Sequence, residues 1–346
     1  MKQRMSEIRR MSRIAWLLIL TFGLIAGVEA QDRKPLRLAT LAPKGSSLHK
    51  SLQAMGEAWR NGPEGGPKLI IYPDGTMGGE GEMVRKMRIK QLQCGLLTVA
   101  GLEQIDPSVT ALQNLPLVFR DLEEVAAVRD ALHSELEKRF EAKGFVLLFL
   151  GDVGFVRFFS KQPMRTPADL KRTKLFTQAG NTPQVNLMKS LGLNPQPLEP
   201  ADMFTSLQTG LIDCTPTIPF YAQIAQIHKS APYMLELDWA PLVGGCVILK
   251  ETFEAYPPAL QASMRKSATL AGAEIQSRNR TENEESIRVM QLAGLKPIKP
   301  SEEELQQWRA FLDPVYPQLR GKQVPADLYD IVMKTLESHR AAKAGK

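Results

Sequence analysis

The sequence predicts an α/β protein of two lobes, on three observations. Short apolar runs of strand length alternate with longer segments whose apolar residues recur at helical spacing, a rhythm that favours parallel strands joined by crossover helices. Around Gly151 and Gly154 the chain leaves this first unit, and Thr166-Pro167-Ala168-Asp169 opens a second with strands and helices of its own. A fresh apolar run over 242–249 then brings the chain back. Two units connected more than once enclose a cleft, and clefts between hinged lobes bind ligands.

Each element follows from local pattern. Residues 36–41 are apolar and alternating; Ala42-Pro43-Lys44-Gly45-Ser46-Ser47 interrupts them, and Leu48, Leu52, Met55, Ala58 and Trp59 then fall at helical spacing. Residues 68–72 read as a second strand, stopped by Pro73-Asp74-Gly75, residue types that favour a turn. A helix over 82–91, a strand near 96–100, a helix over 122–143 and a strand over 145–150 continue the rhythm, and 156–159 is the strand that leads out. In the second unit 174–177, 196–198 and 211–214 are the expected strands and 183–191 and 201–209 the helices. Residues 258–293 have no internal proline and keep Leu260, Met264, Ala268, Ala271 and Ile275 on one face, which predicts a single long helix. Its charged run over 278–285 reads as a solvated face. Ser301-Glu302-Glu303-Glu304 has the form of a capping box before a closing helix, and a last helix spans 325–342. The expected division is an export segment over 1–30, lobe I over 31–153, lobe II over 154–240, and a return to lobe I over 241–346 that includes the long helix and the C-terminal helices.

Residues 1–30 place Lys2, Arg4, Arg9, Arg10 and Arg13 ahead of an apolar run over 14–28, followed by Val28-Glu29-Ala30, the pattern of a cleaved signal peptide with a cut before Gln31. The run is shorter than the roughly 20 residues a membrane crossing needs. Ser12 and Arg13 stand where a twin-arginine signal usually carries apolar residues, so an ordinary charged n-region is expected. The mature chain is therefore expected in the periplasm. Removing five basic and two acidic side chains takes the formal charge from +7 to +4, and the remainder has no concentrated basic stripe of the kind a nucleic-acid binder carries. Cys94, Cys214 and Cys246 lie far apart with no CxxC spacing, against zinc or dithiol chemistry. An oxidising compartment permits one disulfide, and buried thiols are the default for all three. No GxSxG elbow, HExxH, P-loop or GxGxxG after a strand is present. No enzyme, cofactor or metal site is expected.

Four stretches then carry a resemblance. Tyr72-Pro73-Asp74-Gly75-Thr76-Met77-Gly78-Gly79-Glu80 resembles the "YPNGQLGGE" segment of the DctP family of TRAP (tripartite ATP-independent periplasmic) solute-binding proteins, and Leu115-Pro116-Leu117-Val118-Phe119-Arg120-Asp121 resembles its "LPFLFRD". Ser160-Lys161-Gln162-Pro163 with Thr166-Pro167-Ala168-Asp169-Leu170-Lys171 is similar to "SKRPVKTPEDLKG", and Leu207-Gln208-Thr209-Gly210-Leu211-Ile212-Asp213 to "LQQGVVDG". Each is modest alone; together, in family order, they are specific. The resemblance implies a two-lobed periplasmic binding protein fold with a long helix spanning both lobes, and capture of a small solute for a TRAP membrane permease. It also implies a periplasmic carrier with no more than indirect contact with the membrane.

Departures from the family pattern set the expectations for the site. Where most of the family has an arginine that clamps a ligand carboxylate, Lys174-Leu175 is followed by Phe176, and a phenyl ring cannot make those charge-assisted bonds. A second arginine aligns best with Phe155, and Arg157, two residues on, is a possible substitute if the strand is regular. Cys214-Thr215-Pro216-Thr217 replaces a segment whose asparagine commonly helps to bind ligand. Phe176, Phe155, Phe220, Tyr221 and Trp239 serve either as core or as an aromatic-lined pocket for an apolar or weakly polar ligand; Phe176 in place of an arginine favours the pocket. Lys44 with Ser46 and Ser47 either caps the first helix or holds an anionic group. Gln178, Asn181 and Thr217 are further candidates for hydrogen bonds to ligand. The alternative reading is a carrier that delivers hydrophobic or lipid-like ligands to a different envelope partner.

Overall fold

The computed structural model describes residues 33–180 and 182–345, so the expected export segment and Asn181 lie outside it. Lobe I starts with β1 (Leu36–Thr40), which pairs in parallel with β2 (Leu69–Tyr72) and β3 (Cys94–Thr98). The crossovers are α1 (Ser47–Arg60) and α2 (Glu80–Arg88). Ser46 caps α1, its hydroxyl accepting from the His49 N–H at 3.3 Å, and Leu52, Met55 and Trp59 bury one face. Glu80 and Glu82 in the first turn of α2 and Arg85, Lys86 and Arg88 in the last complement the helix dipole. The short α3 (Val99–Leu102) and a 3-10 turn (Pro107–Leu112) lead to α4 (Leu122–Ala142), which Asp121 caps through the Glu124 N–H at 2.9 Å.

Residues 145–150 and 156–159, expected as two strands, are parts of one: β4 (Phe145–Ser160). The glycines that suggested a break instead shape a bulge, with a register shift between Asp152 and Phe155. Gly154 stands there at φ +109°, a conformation open only to glycine at low cost. The second lobe continues through α5 (Pro167–Lys171), β5 (Lys174–Gln178), α6 (Thr182–Ser190), β6 (Asn194–Leu198), α7 (Met203–Thr209), β7 (Cys214–Thr217) and α8 (Pro219–Ile224). β5 pairs in parallel with both β6 and β7, so each lobe carries a three-stranded parallel unit.

The return strand is longer than the sequence suggested. β8 (Tyr233–Leu249) is expected only from residue 242, because Glu236, Asp238 and Pro241 interrupt the apolar pattern of its first half. It runs antiparallel to β4 from Phe145 opposite Leu249 to Ser160 opposite Tyr233, so these two strands cross from one lobe to the other as a pair. All strands join one sheet in the order β2-β1-β3-β8-β4-β7-β5-β6. After α9 (Lys250–Glu254) comes α10 (Pro258–Leu292), whose Leu260, Met264 and Ile275 pack with Trp59 in lobe I and whose Met290 packs with Met203 and Leu207 in lobe II. The long helix therefore serves both cores. β9 (Lys296–Ile298) adds to β8 at Tyr233–Leu235, and α11 (Glu302–Leu312), α12 (Tyr316–Leu319) and α13 (Ala326–Ala344) complete the chain. Ser301 and Glu304 form the capping box at the start of α11. The segment 241–346 divides its packing: Trp308 joins Phe158 and Leu175 in lobe II, and Leu328, Val332 and Leu336 join α4 in lobe I. The three cysteines are free and buried, Cys94 and Cys246 in one core and Cys214 in another, so no bridge links Cys214 to Cys246. Among the described residues no helix is long and apolar enough to cross a membrane.

Candidate functional site

The carboxyl ends of the two parallel units face each other across the interlobe cleft, the place where open α/β sheets bind ligands. Lobe I contributes residues 40–43 at the end of β1 and just beyond it, the end of β3 and the bulge of β4; lobe II contributes the end of β5, residues 216–218 at the end of β7 and just beyond it, and α8. One face of α10, with Gly272, Ile275 and Asn279, forms the floor, and the enclosed volume is about 220 Å³. Gly272 is required there, since a Cβ would sit 2.7 Å from the Phe149 ring. A second chamber of about 200 Å³ adjoins the first, and Phe176, Gln178, Val156 and Pro216 border both.

Most of the lining is apolar, and among the described residues neither chamber is lined by an arginine, a lysine or a histidine. Among the described residues that line the first chamber, Glu80 brings the one carboxyl group. Burial pushes its pKa up, against the hydrogen bonds it accepts from the Thr98 N–H at 2.7 Å and the Thr98 hydroxyl at 2.6 Å. The Gln178 amide reaches the same carboxyl from lobe II. Glu103, nearby, is raised to about 7, first by burial and then by the Glu80 charge. The Tyr221 hydroxyl donates to the Pro200 carbonyl at 3.4 Å, and burial raises its pKa. The floor carries Asn279, fully buried, with neither amide atom bonded to a protein group.

The structure brings Phe176, Gln178, Thr217, Tyr221 and Phe220 to the first chamber and Trp239 to the second. Phe176 is itself a buried member of the lobe II core, only 5% exposed, and borders the cleft as well, so core and cleft are not exclusive for it. Phe155, Arg157 and Lys44 lie elsewhere. Phe155 packs on the lobe I core, and Val156 is the residue of this stretch that borders the chambers. Arg157 is paired with Asp238 at 2.9 Å. Register shifts on both sides of residues 155–156 break the alternation on which the spacing from Phe155 to Arg157 relied. Lys44 is exposed, its backbone N–H held by Asp74 at 2.9 Å, and Ser47 donates to Glu282. Sequence reasoning missed Asn279, Glu80 and Gln113, the last of which borders both chambers and accepts from the Val243 N–H at 2.8 Å. Asn279 lies inside the run read as a solvated face, yet Ile275, Asn279 and Asn283 continue the four-residue spacing of the buried side, a signal that was there to find.

Comparison with known proteins adds the family. The model of "bacterial extracellular solute-binding protein, family 7" (DctP) matches residues 38–323. The 2,3-diketo-L-gulonate-binding periplasmic protein YiaO of Escherichia coli K12 is 27% identical over 333 residues, covering 90% of this chain and 97% of its own. A TRAP periplasmic solute-binding protein of Xanthobacter autotrophicus Py2, solved with bound β-D-galacturonate, superposes with a TM-score of 0.80 at 23% identity, over 87% of this chain and 99% of the other. Another from Haemophilus influenzae, solved with bound L-gulonate, gives 0.80 at 21% identity, over 88% and 99%. The two-lobed fold is thus that of these neighbours, and the chain belongs to the DctP family of extracellular solute-binding proteins, the substrate-capturing components of TRAP transport.

Proposed function

We propose that this periplasmic TRAP component captures a small organic ligand with an apolar body and no carboxylate, and hands it to the membrane permease. The observation that carries the reading is Phe176 in the cleft together with the lack of any arginine or lysine among the described lining residues. A carboxylate enclosed there meets no cation, and burying an unpaired charge costs several kcal/mol. The Glu80 carboxyl in the same chamber adds repulsion whenever it is ionised. Phe176 packs on the ligand body, Tyr221 and Met203 flank it, and Gln178 and Thr217 supply hydrogen bonds. Trp239 serves the adjoining chamber. No step of bond making is part of this role, which needs only binding, lobe closure and release.

The galacturonate and gulonate of the structural neighbours are polar sugar acids, and this reading departs from them at the residues just named. Delivery of a hydrophobic ligand to an envelope partner other than a TRAP permease is not favoured, because the family match is to TRAP solute-binding proteins. Calorimetric titration of the mature protein with 2-phenylethanol and with β-D-galacturonate tests the reading. The unaltered protein is expected to bind the alcohol and ignore the uronate, and Phe176→Arg to weaken the alcohol about tenfold or more. Galacturonate binding by the unaltered protein, or alcohol binding untouched by Phe176→Arg, contradicts it.

A further inference from the structure

Asn279 stands on the floor of the cleft with a relative exposure of 0%, and both its Oδ1 and its Nδ2 lack a partner in the protein. Asn283, one turn further along the same helix, shows that the fold can satisfy such a group. Its Nδ2 donates to the carbonyls of Val153 and Asn279 at 2.8 Å each, and its Oδ1 accepts from the Phe220 N–H at 3.0 Å. A buried amide left with a free donor and a free acceptor is costly, and such groups in native proteins call for an explanation. Its neighbours on the floor, Gly272 and Ile275, offer no polar atom beyond their backbone, which the helix uses.

We infer that Asn279 is the recognition point for the polar end of the ligand, and that this end is an uncharged group presenting a donor beside an acceptor, such as a primary carboxamide or a lactam. The inference rests on the apolar-body reading above and names what that reading left open. An amide edge matches amide to amide: the ligand carbonyl accepts from Nδ2 while the ligand N–H donates to Oδ1. A carboxylate fails at the second half of this match, because its oxygen would face Oδ1, acceptor against acceptor. Among the other polar groups that lobe I brings to the chamber, Glu80 has both oxygens engaged by Thr98, the Thr40 hydroxyl accepts from the Ala42 N–H and the Gln113 Oε1 accepts from the Val243 N–H. Phe176, across the cleft on β5, is then left to cover the apolar body.

The test is titration of the full mature protein with two probes of the same body, phenylacetamide and phenylacetate, against the unaltered chain and the near-isosteric Asn279→Leu. The unaltered protein is expected to prefer the amide by about 10- to 100-fold, the range that one or two unmade buried hydrogen bonds produce. Asn279→Leu is expected to abolish that preference while raising the thermal midpoint of the ligand-free protein, since it removes an unsatisfied buried amide. Asn279→Gln, which keeps the amide, retains part of the preference and guards against a variant that misfolds. A preference for phenylacetamide that Asn279→Leu leaves intact overturns the inference while leaving the proposed function in place; equal binding of the two probes by the unaltered protein overturns the inference and, with it, the exclusion of a carboxylate. Binding of galacturonate with no binding of phenylacetamide overturns both.

Discussion

Glu80 lines the first chamber, where none of the described lining residues is a cation, and Glu103 feels its charge, so environment sets the charge of both. Glu103 is raised to about 7 by burial and by Glu80. A carboxyl whose folded pKa lies above its unfolded value binds more protons when folded, so its contribution to stability is fully present below the unfolded pKa and is lost as pH rises through about 7. The unaltered protein is therefore expected to lose stability between pH 5 and pH 8, by on the order of 1–2 kcal/mol from this group once solvent screening of a half-buried side chain is allowed for. Glu103→Gln flattens that slope in denaturant titrations at the two pH values; an unchanged slope contradicts the assignment. At this scale the sequence is informative where a residue departs from an expected type, as at Phe176, and gives only a spacing signal where a role depends on which way a helix face turns. Asn279 carries no type signal, since an asparagine within a charged run looks solvated until the helix is placed.

The elements that define the site are the long ones. In the sequence β4 and β8 look like fragments because glycines, a proline and acidic residues interrupt their alternation, yet cross-strand pairing over both lobes holds them continuous. The parallel units were legible, because short apolar strands alternating with amphipathic helices admit few other arrangements. The end of the chain was less so. Trp308 on α11 stacks on Phe158 with ring centroids 6.0 Å apart, meets Trp239 edge-on at 5.9 Å, and donates its indole N–H to the Arg165 carbonyl at 2.7 Å. This cluster anchors a C-terminal helix to lobe II, where a return to lobe I had been expected, and no local pattern tells a helix which lobe it will cover. Trp308→Ala is expected to cost about 3–5 kcal/mol in equilibrium unfolding, as loss of a large buried aromatic does. Through Trp239 it also loosens the second chamber. A cost below about 1 kcal/mol would mean that the cluster is not part of the core.

For the whole molecule, the sheet's order places β4 and β8 between two parallel units, with α10 along both, so relative motion of the lobes must bend these three shared elements. The bulge at Gly154 is one of the irregularities in β4 at that crossing, and Asn283 of α10 ties it to α8 of lobe II. A ligand shifts such an open-closed balance only through contacts that differ between the two states, and a cleft lined from both lobes provides them. The family membership fixes the role as solute capture; what distinguishes this chain is the chemistry of the lining. Native mass spectrometry of the protein purified from a periplasmic extract without added ligand is the sharpest test of that chemistry. Retained adducts of a small uncharged molecule that carries an amide-like end and an apolar body are expected, and they are lost on Phe176→Arg. A retained sugar acid or dicarboxylate would contradict that expectation.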